Sequence, residues 1–435
     1  MSYCVSKKLF HGNSDSMINV APITDEPSGS VFSGYTILTK GMMGVGILSL
    51  AYALEASGWY FGIGISILSP LLLAFSSHLV SLLGSEYKES LQGNDKRHLS
   101  YYGMASRLSV RAAWLLDLGL IIFSFGKMVA YSIVSASMIT EILISLGVTL
   151  GLSSTSLTIV IKVIVGALLS PLCLAKEIKN TTIPNALAIA CLLYIVCFAI
   201  IKADPYGASF VGTHEHMYHP KSWVSIVVSF PKFVFAYCAV QNLFGVANET
   251  SKFSVRRLDG MMFAGIFTAF SLNTICSILP FVTFGSGIKS NFLKNFSSDL
   301  SPATLAVRIA AAFQVSVGFV LVLHPMRSSL IGLVKRNGLA PKSDVAMRWS
   351  IATLVIIASI GTAIGLGNDM GIVIELAGFL GANTICFVVP TYLFCISRER
   401  KESPVLWVMA AALLCFGVVL YPLGIYGVAY TYSQS

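Results

Sequence analysis

Two short stretches combine residue types that an apolar segment does not ordinarily tolerate. In Lys40-Gly41-Met42-Met43-Gly44-Val45-Gly46, three glycines and a lysine interrupt a long apolar run. In Phe230–Gly245, Pro231, Lys232 and the pair Gln241-Asn242 interrupt another. A glycine weakens a helix interior by roughly 1 kcal/mol and a proline by ~3 kcal/mol, so both runs are expected to be broken helices. A broken helix presents N–H groups with about half a positive charge at one new end and bare carbonyls at the other. The N–H end suits a carboxylate, and the carbonyl end suits an ammonium or a metal cation. A zwitterion of amino-acid size satisfies both. Gly41, Met42, Met43, Gly44 and Gly46 are the expected backbone contacts for the carboxylate, and Tyr237, Cys238 and Gln241 the expected lining for a side chain.

Charges inside apolar runs narrow the chemistry further. A lysine at mid-bilayer depth costs ~3 kcal/mol or more, which marks it as a candidate functional group. Lys40 could donate to freed carbonyls where a sodium ion would otherwise sit, or could reach to the inner surface along its own stem. Lys127 has no interface nearby and is expected either as a fixed charge or as a titrating group. Ser316 is a candidate ion ligand. Asp117, Glu141, Lys162, Lys232 and Glu375 lie nearer the ends of their runs and read as interfacial. Arg308 reads as facing the outer surface or a carboxylate.

The elements that must hold these residues are membrane helices. Of the 435 residues 55% are hydrophobic and 11% charged, with a mean hydropathy of +0.78; soluble domains carry about 25% charged residues. Apolar runs long enough for a hydrocarbon core of ~30 Å recur along the chain, continuous rather than alternating, so helices are indicated and a barrel is not. The runs predict eleven spans, near 33–54, 58–83, 112–143, 157–174, 183–201, 222–247, 259–284, 303–331, 346–366, 370–396 and 405–430. This is an all-α polytopic membrane protein. The broken spans stand five apart, which predicts two inverted repeats, 32–201 and 222–396, with an eleventh span at 405–430 and a midplane site between the repeats.

With the N-terminal tail (1–31) in the cytosol, twenty lysines and arginines face inward and only Lys202, Lys221, Lys289 and Lys294 face outward. That bias fixes the orientation and puts Ser435 outside or in a lumen. It also accounts for the net charge of +9 without nucleic acid. Of the sequons Asn180-Thr181-Thr182, Asn248-Glu249-Thr250 and Asn295-Phe296-Ser297, only Asn295 falls outside and is expected to be glycosylated. No hydrophobic leader precedes the first span, so no cleaved signal is expected. The nine cysteines form no CxxC pair and imply no structural disulfide, and His214-x-His216 reads as a surface loop rather than a metal site. No Walker loop or nucleophile elbow occurs, and no cofactor is expected.

The stretch Lys40-Gly41-x-x-Gly44-x-Gly46-Ile47-Leu48-x-Leu50-Ala51-Tyr52, followed by Ser57-Gly58-Trp59, resembles the opening of the amino acid/auxin permease family. Phe235-Ala236-Tyr237 with Asn248-Glu249, Phe125-Gly126 with Tyr131, Phe281-x-x-Phe284-Gly285, and Pro325-Met326-Arg327 add matches in the right order over roughly 32 to 430. The resemblance implies a LeuT-like fold of eleven spans, secondary active transport of amino acids and no enzymatic chemistry. It is nearest to the proton-coupled and vacuolar branches, since sodium-coupled members typically carry Asn at the position of Lys40 and His at that of Val240. Cys238 departs from the proton-coupled pattern, which often has Glu there. The resulting expectation is a monomeric, sodium-independent transporter of neutral amino acids, with the proton as candidate coupling ion. An amino acid sensor signalling through a partner is the alternative.

Overall fold

The computed structural model describes residues 29–91, 99–174, 182–213, 217–250, 254–338 and 343–433. The N-terminal residues before 29, Asn180, His214 and His216 lie outside them. Among the described residues, ten helices are long and apolar enough to cross a membrane, and the only β pairing is two isolated bridges, Gly29 with Thr250 and Val211 with Gly285.

Ten helices rather than eleven runs is a consequence of the first run's shape. It begins as α1 (Val31–Met42), capped by the Ser30 hydroxyl accepting from Ser33 N–H, and stops at Met43 (φ −106°, ψ 71°). A 3-10 turn, Val45–Leu48, follows. The chain then enters α2 (Leu50–Ser90), which is bent at Gly58 (φ 71°, ψ 163°). No piece before Gly58 is long enough alone to count as a spanning helix. Gly58 is required twice over. Its φ favours glycine, and a Cβ there would stand 2.4 Å from the carbonyl carbon of His219.

The short α3 (Tyr101–Leu108) precedes α4 (Val110–Ser145), α5 (Ser154–Leu174) and α6 (Thr182–Ile201). The second broken run is α7 (Trp223–Tyr237), an extended Cys238, a 3-10 turn at Val240–Asn242, and α8 (Leu243–Glu249). Then come α9 (Val255–Phe284), α10 (Pro302–Arg336), α11 (Asp344–Gly365), α12 (Gly371–Ser397) and α13 (Pro404–Ser433). Within α12, Ala377–Ala382 and Thr384–Val388 are π-helical, a widened winding common at functional sites. α3 fills part of what the sequence reads as a loop. It is too short for a hydropathy signal.

The two broken runs lie antiparallel. At one end Gly29 N–H donates to Glu249 O (2.9 Å), and at the other Lys221 N–H donates to Ala56 O (3.3 Å). Midway, a Cβ on Gly46 would lie 2.8 Å from Ala236 Cα, and one on Gly41 would lie 2.7 Å from the Asn242 amide nitrogen. At Gly46 the two runs therefore touch backbone to backbone, which only glycine permits, and at Gly41 the side-chain amide of Asn242 fills the space.

Candidate functional site

The two breaks share one cation, and it is Lys127. Its ammonium donates to Gly41 O (3.2 Å) near the end of α1 and to Cys238 O (3.5 Å) just past α7. It also lies 4.4 Å from the ring centre of Phe123 and 5.6 Å from that of Phe235. Both carbonyls sit at the negative ends of helix dipoles, and aromatic faces attract the same charge. Lys127 is 4% exposed, so these contacts replace its water. Gln314 of α10 adds a donor at the same break, from Nε2 to Met43 O (3.0 Å).

Lys40 makes no such contacts: its Nζ is buried with no hydrogen-bond partner among the described residues, and Cys191 of α6 is its titratable neighbour. Sequence gives the depth of a lysine but not the direction in which it leaves its helix.

Of the other expected site residues, Gly41, Met42, Met43, Gly44 and Gly46 are assembled at the first break, and Tyr237, Cys238 and Gln241 at the second. Gly44 faces Tyr131 of α4, whose hydroxyl would be 2.6 Å from a Cβ at position 44; Gly318 of α10 faces the other side of the same ring. Tyr237 is 1% exposed and lies beside Asn273 of α9. Neither amide atom of Asn273 has a hydrogen-bond partner among the described residues. The Cys238 thiol lies 3.0 Å from that of Cys386 in the π-helical part of α12, and 3.5 Å from Gln241 Oε1. Ser316 of α10, two residues before Gly318, donates its hydroxyl back to Ala312 O (2.7 Å), which spends its proton on its own helix and leaves its oxygen lone pairs free. Asn295 is half-buried, its amide donating to Gly287 O (2.8 Å) and accepting from Lys289 N–H (3.0 Å).

Of the charges read as interfacial, Asp117, Lys162, Lys232 and Glu375 are buried and partnered instead, while Glu141 is 21% exposed and faces Arg308. Lys232 and Glu375 pair at 2.7 Å with side chains 2% and 8% exposed, and the ring of Tyr52 lies 4.8 Å from the ammonium. Arg308, 1% exposed, faces Glu141 at 3.3 Å and donates to Ser145 Oγ (3.0 Å) and Phe296 O (2.9 Å). Asp117 pairs with Arg336, and Lys162 donates to Ala363 O (2.7 Å) and Gly367 O at the end of α11. A charge in hydrocarbon persists only when neutralised or bonded, and each partner comes from another helix. Glu55 is a further buried acid that reading the sequence overlooked, because it stands at the edge of an apolar run. An apolar crevice between Phe125, Met326, Thr362 and Ile372 lies elsewhere and offers nothing to a zwitterion.

A bundle of membrane-crossing helices whose two broken members meet at mid-length around a buried cation defines a membrane transporter rather than an enzyme. The chain belongs to the family described as transmembrane amino acid transporter protein, which it matches over residues 27–430. It is similar to vacuolar amino acid transporter 5 of Schizosaccharomyces pombe, 23% identical over 89% of this chain and 91% of the relative. It also resembles sodium-coupled neutral amino acid transporter 7 of Xenopus laevis, 25% identical over 92% of this chain and 87% of the relative. Vacuolar amino acid transporter 6 of Saccharomyces cerevisiae is 23% identical over 69% of this chain and 66% of the relative.

Proposed function

We propose that this protein moves neutral amino acids across a membrane by alternating access, without sodium and with the proton as coupling ion. The observation that supports it is Lys127, whose ammonium takes the two carbonyls that a bound cation would need. A fixed positive charge there repels sodium and holds the ends of both broken helices without it. The glycine-lined first break receives the carboxylate, and Tyr237, Gln241 and Asn273 face the rest of the substrate. Among Tyr237, Cys238 and Gln241 there is no acid to fix a cationic side chain.

The same reading counts the discontinuous run Val31–Ser57 as one crossing, which makes eleven, arranged as five, an inverted five and one. It keeps the Ser30 end cytosolic and the Gly58 end outside or luminal, and the vacuolar relatives make an acidic compartment the favoured membrane. No observation favours the sensor alternative.

The experiment is uptake of an amino acid panel into proteoliposomes, with proton and sodium gradients imposed separately. Accumulation of neutral amino acids under the proton gradient alone is the expected result. Accumulation that follows sodium overturns the reading.

A further inference from the structure

We propose that Glu55 is the group that binds the transported proton, an inference resting on the proton-coupled reading above. Glu55 stands on the last turn before the Gly58 bend, with its side chain 6% exposed. One carboxylate oxygen, Oε1, pairs with Lys221 at 2.8 Å; that lysine is 53% exposed and so touches solvent. The other, Oε2, is buried with no hydrogen-bond partner among the described residues. A buried, unbonded carboxylate oxygen is a costly acceptor that a proton satisfies.

The surroundings give that proton a consequence. Lys232 of α7 acts on Glu55 through space while bonded to Glu375 of α12. The four charges Lys221, Glu55, Lys232 and Glu375 thus form one neutral row from the solvent edge to the bundle interior, across α2, α7, α12 and the loop before α7. Other titratable groups facing this region are Tyr52 on α2 itself and His219 in the loop, which lies against Gly58. On α9, packed along α2, Cys276 is the only titratable side chain between Asp259 and Phe284; from α13, Tyr421 is engaged with Thr384 and Tyr426 stacks on Trp223. Among the described residues, Lys221 alone forms an ion pair with Glu55.

The proton adds to Oε2 and leaves a neutral acid. Lys221 then loses its counter-charge, and the loop that covers the Gly58 bend is no longer held by an ion pair. Lys232 is left with Glu375 alone. Proton uptake and loosening of that end of the bundle become one event, and loss of the proton restores the clamp.

The test uses Glu55→Gln and Lys221→Gln in proteoliposomes, each beside wild type. Glu55→Gln is expected to keep exchange of labelled for unlabelled amino acid at equal pH while losing accumulation driven by a pH gradient. Lys221→Gln, a change at an exposed site, is expected to move the pH profile of uptake about one unit or more toward alkaline, because a carboxylate without its ammonium takes up a proton at higher pH. Accumulation by Glu55→Gln equal to wild type, or an unmoved profile for Lys221→Gln, overturns the proposal. Wild type indifferent to the proton gradient overturns the coupling reading instead, and separates the two failures.

Discussion

The Lys127 ammonium stands 3.2 Å from Gly41 O and 3.5 Å from Cys238 O, so one side chain of α4 ties together the ends of two helices far apart in sequence. Lys127→Met keeps the bulk and deletes the donor. It strands two carbonyls, each at a cost of about 1–3 kcal/mol when buried. The expected outcome is a lower melting temperature in detergent together with loss of uptake. A variant that melts and transports like wild type would show that the breaks do not depend on this charge.

Close approach at the breaks makes a second comparison. Gly46→Ala puts a methyl 2.8 Å from Ala236 Cα, whereas Gly64→Ala meets nothing within 4 Å. Overpacking of this kind costs typically ~1–3 kcal/mol. Gly46→Ala should therefore lower stability and uptake, and Gly64→Ala should leave uptake unchanged with stability equal or somewhat higher, as read by thermal unfolding and transport in parallel.

Arg308 has a carboxylate, a hydroxyl and a carbonyl for company. Arg308→Ala leaves Glu141 without its ion-pair partner, and breaking one side of a buried pair costs about 3–5 kcal/mol. Arg308→Ala with Glu141→Gln should recover part of that loss. Denaturant or thermal unfolding of the single and double variants measures the recovery, and a double variant no better than the single one counts against the pairing.

Asp299 lies in the loop before α10, outside the spanning segments. Its hydrogen bond with Lys202 (2.7 Å) holds the carboxyl below the usual carboxylate range, helped by Ser301 and Thr304. A depressed carboxylate contributes stability above its unfolded value of about 3.9 and loses it as pH falls through the folded value. The contribution is thus intact at mildly acidic pH. Asp299→Asn should lower the melting temperature equally at pH 7 and pH 5, whereas a penalty confined to pH 7 would contradict this sign.

Cys238 and Cys386, 3.0 Å apart and both fully buried, are the pair that a membrane-permeant two-electron oxidant such as hydrogen peroxide should join. Each peroxide takes two electrons and two protons from the thiols and leaves two waters. Peptide mass mapping before and after reduction should find this cross-link ahead of any other cysteine pair. Uptake should fall with it, since the link fastens the second break to α12.

Much of the fold was legible because hydrocarbon thickness leaves a plain mark on sequence: continuous apolar runs of a set length. The glycines at 41, 44 and 46 likewise announced where the first helix would fail, whereas α7 runs through Pro231 and stops only at Cys238. The identity of the central cation was not legible. Lys40 and Lys127 look alike in sequence, and only the assembled bundle, in which Lys127 of α4 reaches Gly41 O and Cys238 O, decides which one meets the carbonyls. The partners of Lys232, Arg308 and Asp117 were hidden for the same reason, since each lies on another helix. Glu55 was missed because depth was judged from distance to the end of a run, while the loop bearing Lys221 folds over that end and shields it.

The bend at Gly58 joins the last part of the first run to the long remainder of α2 through one residue, with no turn between them. The angle between the piece that carries Gly46 and Glu55 and the rod that runs on to Ser90 is therefore set by the two dihedrals of a single glycine, as at the elbow of a jointed arm.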